Sequence, residues 1–359
     1  MNFWVKVLLV NWAINIGCVE FLCLRKMKPI TNVNEKRDSK YPAFRRKDVW
    51  WFSRRWLYPL CHLFLVKIIS IFAFDFLIVV LIRLLAIGTD KNKPFTGWRR
   101  WILNWLTTMV CFQILFLNGI YYINRTRPEV CYKKFLGPDW KADYDSHRTG
   151  TLVANHSSIY DALVHSLYQM PCFIAKAEVA NFPMIGTMAT VSGTMYIRRD
   201  AKNQIQDTII ERQKLAEQDP NIDPLVIHAE GGTTNNTCVI KFKRGAFVGL
   251  RSIWPKAMKY NAPFWTPSSG VIDGLPHYVA GGANPYSTLT MTELPVFRPN
   301  EYFFANHKQE GEEKWQTYER VIRTLIAEHA GLPLSDESIE DKFEYKKELF
   351  PGKYDKKKN

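Results

Sequence analysis

Apolar and polar positions are spread unevenly along the 359-residue chain. Residues 56–88 and 98–123 carry long aliphatic and aromatic runs, and residues 3–24 are apolar but interrupted by Lys6, Asn11, Asn15 and Glu20. From Trp101 to Asn124 there is no charged residue, and that length matches the bilayer core, so this segment is expected to be membrane-embedded. Residues 57–87 are long enough to span but hold Lys67, Asp75 and Arg83. No small-residue cleavage site follows the first apolar run, which argues against a signal peptide. Every connection is basic: Arg54 and Arg55, then Lys91, Lys93, Arg99 and Arg100, then Arg125 and Arg127. A two-sided hairpin shows a Lys/Arg difference between its ends. Its absence predicts a helix pair whose ends stay on one membrane face.

Near Gly150 the periodicity changes. Short β-type runs occur at 151–155, 193–199, 225–229, 255–260 and 289–297. Between them, Ile205, Ile209, Ile210 and Leu215 recur at helical spacing over 201–217, with Asp200 as N-cap. Trp315, Tyr318, Val321, Ile322 and Leu325 form one stripe over 312–329, closed by Gly331 and Pro333. Strands alternating with helices predict an α/β domain with a mixed, partly parallel sheet flanked by helices. The expected organisation is an N-terminal hydrophobic segment and basic linker (1–55), a membrane-embedded helix pair (56–124), a catalytic-size domain (125–334) and a charged, peripheral tail (335–359).

Charge sharpens this picture. The formal net charge is +14, and eleven Lys/Arg lie between Arg25 and Arg55 against Glu35, Asp38 and Asp48. A basic block between hydrophobic segments points to anionic lipid headgroups or to a solvated linker. It does not point to nucleic acid, for which no binding module is present. The seven cysteines have no metal-binding or redox spacing and suggest free thiols. No metal site or resident cofactor is expected.

In VANHSSIYDAL, His156 stands five residues before Asp161, directly after a short strand. The spacing alone is a weak signal. Its chemistry is apt, because a hydroxyl attacks a thioester efficiently only when a base takes its proton, and histidine titrates in the right range. A carboxylate on the other ring nitrogen would fix the tautomer. On a regular helix, residues five apart diverge by about 140°. The two can meet only if Ser157–Tyr160 turn and a helix starts near Asp161.

The chain resembles the glycerolipid acyltransferases, and within them the 1-acylglycerol-phosphate and lysophosphatidylcholine/lysophosphatidylethanolamine acyltransferases, over about 94–348. PFTGWRRW is similar to the stretch before the membrane helices, VANHSSIYDAL to the first sequence block, and GTMYIRRD to the second. EGGTTNNTCVIKFKRGAF resembles the third block and WPKAMKY the fourth. The resemblance implies the glycerolipid-acyltransferase fold, acyl-CoA as co-substrate, and a lysophospholipid or glycerol phosphate acceptor. It implies His156 as general base and Asp161 as its partner. Gly193 and Arg198 would belong to the acceptor site, Arg198 holding phosphate with its planar fork. Glu230 and Gly231 would shape the phosphate loop, with Asn235 and Thr237 as loop formers. Pro255 would shape the acyl tunnel. Lys241, Lys243 and Arg244 would face coenzyme A phosphates or solvent.

One block departs from the family pattern. Where the family reads Phe-Pro-Glu-Gly-Thr, this chain has His228-Ala229-Glu230-Gly231-Gly232, and residues 261–287 also diverge. A second reading follows: a catalytically degenerate subunit that binds lipid or scaffolds a larger membrane complex. A hydrolase reading lacks a nucleophile signature. The tail KKKN resembles a dilysine signal, favouring the endoplasmic reticulum membrane over the mitochondrial inner membrane.

Overall fold

The computed structural model describes residues 2–90, 93–145, 148–181, 185–197 and 202–354. Arg198 and Asp200 lie outside them. Three helices among the described residues are long and apolar enough to cross a membrane: α1 (Phe3–Thr31), α2 (Arg54–Leu85) and α3 (Gly97–Leu117). The chain is a membrane protein, and its N-terminal segment contributes a full-length apolar helix in addition to the expected pair.

The remainder is a mixed α/β domain. Its sheet has the order β1-β7-β6-β2-β5, with β1 (Ile120–Thr126), β2 (Thr151–Ala154), β5 (Leu225–His228), β6 (Ile253–Asn261) and β7 (Ser287–Glu293). β6–β7 is antiparallel and the other pairings are parallel. A separate parallel pair joins β3 (Ile174–Lys176) to β4 (Met195–Ile197). Central β2 is buried along its whole length, as a strand covered on both faces must be. Pro255 sits in β6 one residue before the β7 ladder begins at Lys256, where its missing N–H is tolerated.

Helices α4 (Asp161–Tyr168), α5 (Lys202–Gln218), α6 (Gly274–Ala283), α7 (Lys314–Ala330) and α8 (Ile339–Leu349) complete the domain. The α7 stripe is as the periodicity predicts: Tyr318, Val321, Ile322 and Leu325 are buried, and Gly331 closes the helix at φ 60°.

Three boundaries differ from expectation. The long apolar segment ends as a helix at Leu117, and residues 120–126 form a sheet edge, so a division at 124/125 falls inside β1. Arg125 and Arg127 at the end of β1 hold Glu293 at 2.8 and 2.7 Å, and Lys256 of β6 lies 2.9 Å from the same buried carboxylate. Strand β7 stops at Glu293, and the run to Phe297 keeps only a bridge to Ile253. The tail is not peripheral: Tyr345 and Leu349 of α8 are buried with Val19, Cys23, Met27 and Phe44 of the N-terminal segment. Around this core, Asn235, read as a loop former, donates to the carbonyls of Pro42 and Arg45 at 2.7 Å each. N-terminal segment, α/β-domain loop and tail therefore share one core.

Arg100, at the start of α3, is not a free loop cation. It donates to the carbonyls of Ser192 (3.0 Å) and Met170 (3.2 Å) and pairs with Asp223. Membrane helix and α/β domain are thus fixed to each other.

Where β2 runs out, Asn155 continues its pairing with β6 through a side chain. Its amide donates to Met258 O and its carbonyl accepts from Met258 N, both at 2.8 Å. Asn155→Leu should leave two buried backbone groups unpaired and cost about 2–5 kcal/mol. A lowered unfolding midpoint in detergent, with the thermal shift absent in a surface control such as Lys134→Gln, is the expected measurement.

Candidate functional site

The chain leaves β2 at Ala154, turns through Ser157–Tyr160, and enters α4 at Asp161. That is the arrangement needed to bring the five-spaced pair together. The His156 Nδ1–H donates to Asp161 Oδ2 at 2.8 Å. The same oxygen accepts the backbone N–H groups of Ser157 (2.9 Å) and Ser158 (3.0 Å), and Asp161 Oδ1 accepts the Tyr260 hydroxyl at 2.6 Å.

Asp161 is 0% exposed. Burial by itself would raise its carboxyl, but the hydrogen bond and charge of His156 and the Tyr260 hydroxyl hold it below the usual carboxylate range. It is therefore an anion at neutral pH. Against an anion, Nδ1 must carry the proton, which leaves Nε2 of His156 free to accept one.

Glu230 has a different task from that of touching a ligand. It is fully buried, and its oxygens accept the N–H groups of His156 and, at 3.0 Å, Ile240. This carboxyl group clamps the third-block loop to the backbone of His156. Gly231 (φ 75°) packs so that a Cβ would stand 3.0 Å from Lys243 Cε, and a Cβ on Gly232 would collide with Ile339 of α8. Lys342 of α8 donates to Thr233 O (2.7 Å) and Oγ1 (2.9 Å), so the C-terminal helix holds the loop from outside. Burial, more than neighbouring Lys346, pulls the Lys342 amine down to about 7.

Among the expected residues, His156, Asp161, Glu230 and Gly231 come together. Pro255 lies in β6 with its register partner Val153 in β2, two residues before Asn155. Gly193 forms a turn (φ 85°) next to the small sheet, against Pro94 and Cys172. Arg198 lies outside the described residues. Lys243 pairs with Glu340 at 3.2 Å.

Two contributors escaped the sequence reading. Tyr260 sits in the fourth block, but nothing in a KYN run says that its hydroxyl crosses to Asp161. Asn236 supports it from the third-block loop, its amide bonded to Tyr260 O (2.9 Å) and Tyr260 N (3.1 Å). The other is His228, at the position that departs from the family pattern. Its ring lies on the His156 ring with centroids 4.0 Å apart and planes 15° apart. His165 stands behind it at 5.4 Å. Neither ring nitrogen of His228 or of His165 has a hydrogen-bond partner among the described residues. Burial, reinforced by the charge of His156, pushes His228 down to about 3, so it is neutral beside His156.

The ligand atoms of His156, Asp161 and His228 lie within 4.8 Å of one another, close enough for a metal ion. The geometry favours hydrogen bonding instead. Two nearly parallel stacked rings aim their in-plane lone pairs side by side, and Asp161 already accepts four donors.

Burial raises Glu230 to about 8, against the two backbone donors that lower it. A carboxyl whose folded value exceeds its unfolded one stabilises the fold fully below about 4.5 and loses that contribution as pH rises to about 8. Glu230→Gln should remove this component, worth up to about 1.4 kcal/mol per pH unit across that window. The check is the unfolding free energy of both proteins measured from pH 4.5 to 8.

Residues 143–256 match the family model described as Acyltransferase. Across the curated proteins, the chain is similar to lysophospholipid acyltransferase LPEAT1 of Arabidopsis thaliana, 26% identical over 68% of this chain and 63% of that one. It is similar to the lysophosphatidylcholine acyltransferase of Drosophila melanogaster, 28% identical over 70% of this chain and 43% of that one. The chain thus spans less than two thirds of the length of these relatives. A crystal structure of the 1-acyl-sn-glycerophosphate acyltransferase PlsC from Thermotoga maritima aligns with a TM-score of 0.38 and 10% identity, over 64% of this chain and 78% of that one. The region matched by the family model contains the His156–Asp161 pair, the Glu230 clamp and Pro255.

Proposed function

We propose that the protein is an O-acyltransferase that moves an acyl group from acyl-CoA to the free hydroxyl of a lysophospholipid, with glycerol phosphate as the alternative acceptor. The observation that carries this reading is the His156–Asp161 contact at 2.8 Å, with Asp161 saturated by three further donors. Such a carboxylate orients the imidazole and stabilises its cation without taking the proton.

In the proposed reaction, the acceptor oxygen attacks the thioester carbonyl as its proton passes to His156 Nε2. The tetrahedral intermediate then collapses, the C–S bond breaks, and the departing thiolate recovers the proton from Nε2. Bond changes and protons balance without a redox partner. His156 is the base, Asp161 and Tyr260 hold it in place, and His228 presents a neutral ring to the imidazolium. The acceptor phosphate is assigned to Arg198 and the turn at Gly193 by family resemblance. The enzyme would work at the endoplasmic reticulum membrane, with the mitochondrial inner membrane as the alternative outcome of a localisation experiment.

The scaffold reading is the weaker one. A subunit freed from catalysis has no reason to keep a fully buried carboxylate aimed at one exposed-edge histidine, with four donors devoted to it. The departing third block does not remove the machinery either, because Glu230 still clamps it.

Purified protein in nanodiscs should release coenzyme A, read as free thiol, when given acyl-CoA and a lysophospholipid. His156→Ala should lower kcat by about 10²-fold or more. Unchanged turnover in that variant would refute the mechanism, and no turnover with any acceptor would favour the scaffold. Arg198→Lys should raise KM for the phosphate-bearing acceptor and leave KM for acyl-CoA nearly unchanged, because the ammonium keeps the charge and loses the fork.

A further inference from the structure

Away from the site, a cavity of about 760 Å³ opens between the C-terminal part of α1 and the start of α2. Arg25, Lys28, Arg54 and Arg55 line it, together with one carboxylate, Glu20. Four cations against one anion leave a surplus of three positive charges on its wall. Glu20 is already committed: it accepts two hydrogen bonds from Arg54 (2.7 and 3.0 Å) and one from the Tyr58 hydroxyl (2.9 Å), and lies 3.6 Å from Arg25. Lys28 and Arg55 are exposed and have no acidic partner among the described residues. Like charges gathered around a concave surface repel one another and focus a positive potential, which an anion relieves.

The surroundings say where such an anion comes from. The helices that bound the cavity are apolar and present exposed side chains, among them Leu8, Val10 and Ile14 on α1 and Val66, Ile69 and Phe72 on α2. Trp50, Trp51 and Trp56 cluster just before and within the first turn of α2, with ring centroids 4.0, 4.6 and 6.1 Å apart. Arg55 lies over the Trp56 ring at 5.2 Å. Tryptophan and arginine at the end of an apolar helix mark the headgroup level of a bilayer. A pocket at that depth meets phosphates attached to lipids.

We infer that this cavity binds the phosphate-bearing headgroup of an anionic bilayer lipid, at a place separate from the acyl-transfer site. The inference does not rest on the acyltransferase reading. It explains why Arg25, Lys28, Arg54 and Arg55, from the two ends of the basic block, are gathered on one concave wall.

The test uses the full chain in detergent and measures the rise in unfolding midpoint on titration with phosphatidylglycerol, phosphatidylcholine or inorganic phosphate. Phosphatidylglycerol should stabilise the protein at concentrations where the other two do not. The double variant Lys28→Gln/Arg55→Gln should weaken that response about 25-fold, from about fivefold per cation. Both residues are exposed and unpaired, so the variant keeps the fold, which an unchanged midpoint without lipid verifies. Lys133→Gln/Lys134→Gln removes the same charge elsewhere and should leave the response intact. Equal loss in both double variants would reduce the effect to net charge and overturn the inference. So would an undiminished response in Lys28→Gln/Arg55→Gln, or equal stabilisation by inorganic phosphate.

Discussion

A carboxylate with no access to water must find in the protein every hydrogen bond that water would have given it. Asp161 is in that position, and the architecture around it follows from how its oxygens are satisfied. Two backbone N–H groups require the chain to turn tightly after β2, the turn sets the start of α4, and the third donor on Oδ2 is the His156 ring. The fourth comes from Tyr260 on β6, which obliges β6 to lie beside β2 in the observed register. Asn236 then ties the third-block loop to Tyr260. One buried charge thus links the first, third and fourth sequence blocks, which are separated along the chain.

Glu230 performs the complementary task on the backbone. By accepting from His156 and Ile240 it joins the loop after β5 to the loop after β2. This loop has alanine where the family pattern has a proline, so its rigidity has to come from elsewhere. Lys342 and Ile339 of α8 supply it from outside, and Asn235 anchors it to the N-terminal segment. The ends of the chain are consequently part of the site's support, although neither reaches the reacting atoms.

The stacked histidines show how a change of residue type can be absorbed. A flat ring is retained against His156, and the hydrogen-bonding capacity of that ring goes unused. Burial keeps it neutral, so it places no positive charge against the His156 ring. A neutral imidazole, though smaller than a phenyl ring, still offers a flat face to its neighbour.

Patterning along the chain was sufficient for the α/β class, the mixed sheet, the α7 stripe and its glycine stop, and for the helix start at Asp161, because each depends on local periodicity or on the reach of a five-residue turn. It also offered His156 and Asp161 as a pair, and the turn between them does bring the two side chains to 2.8 Å. It misjudged residues 120–126, whose tyrosines and isoleucines read as the end of an apolar span but which the parallel edge of β7 recruits as a strand. It placed the tail at the periphery, because the charged residues of α8 hide the buried Tyr345 and Leu349, and the core they enter is built from the other end of the chain. Nor could it find Tyr260, His228 or Lys342. Their roles are contacts across 99, 72 and 109 residues of sequence, and such contacts are decided only when sheet register and packing bring distant side chains to the same buried polar group.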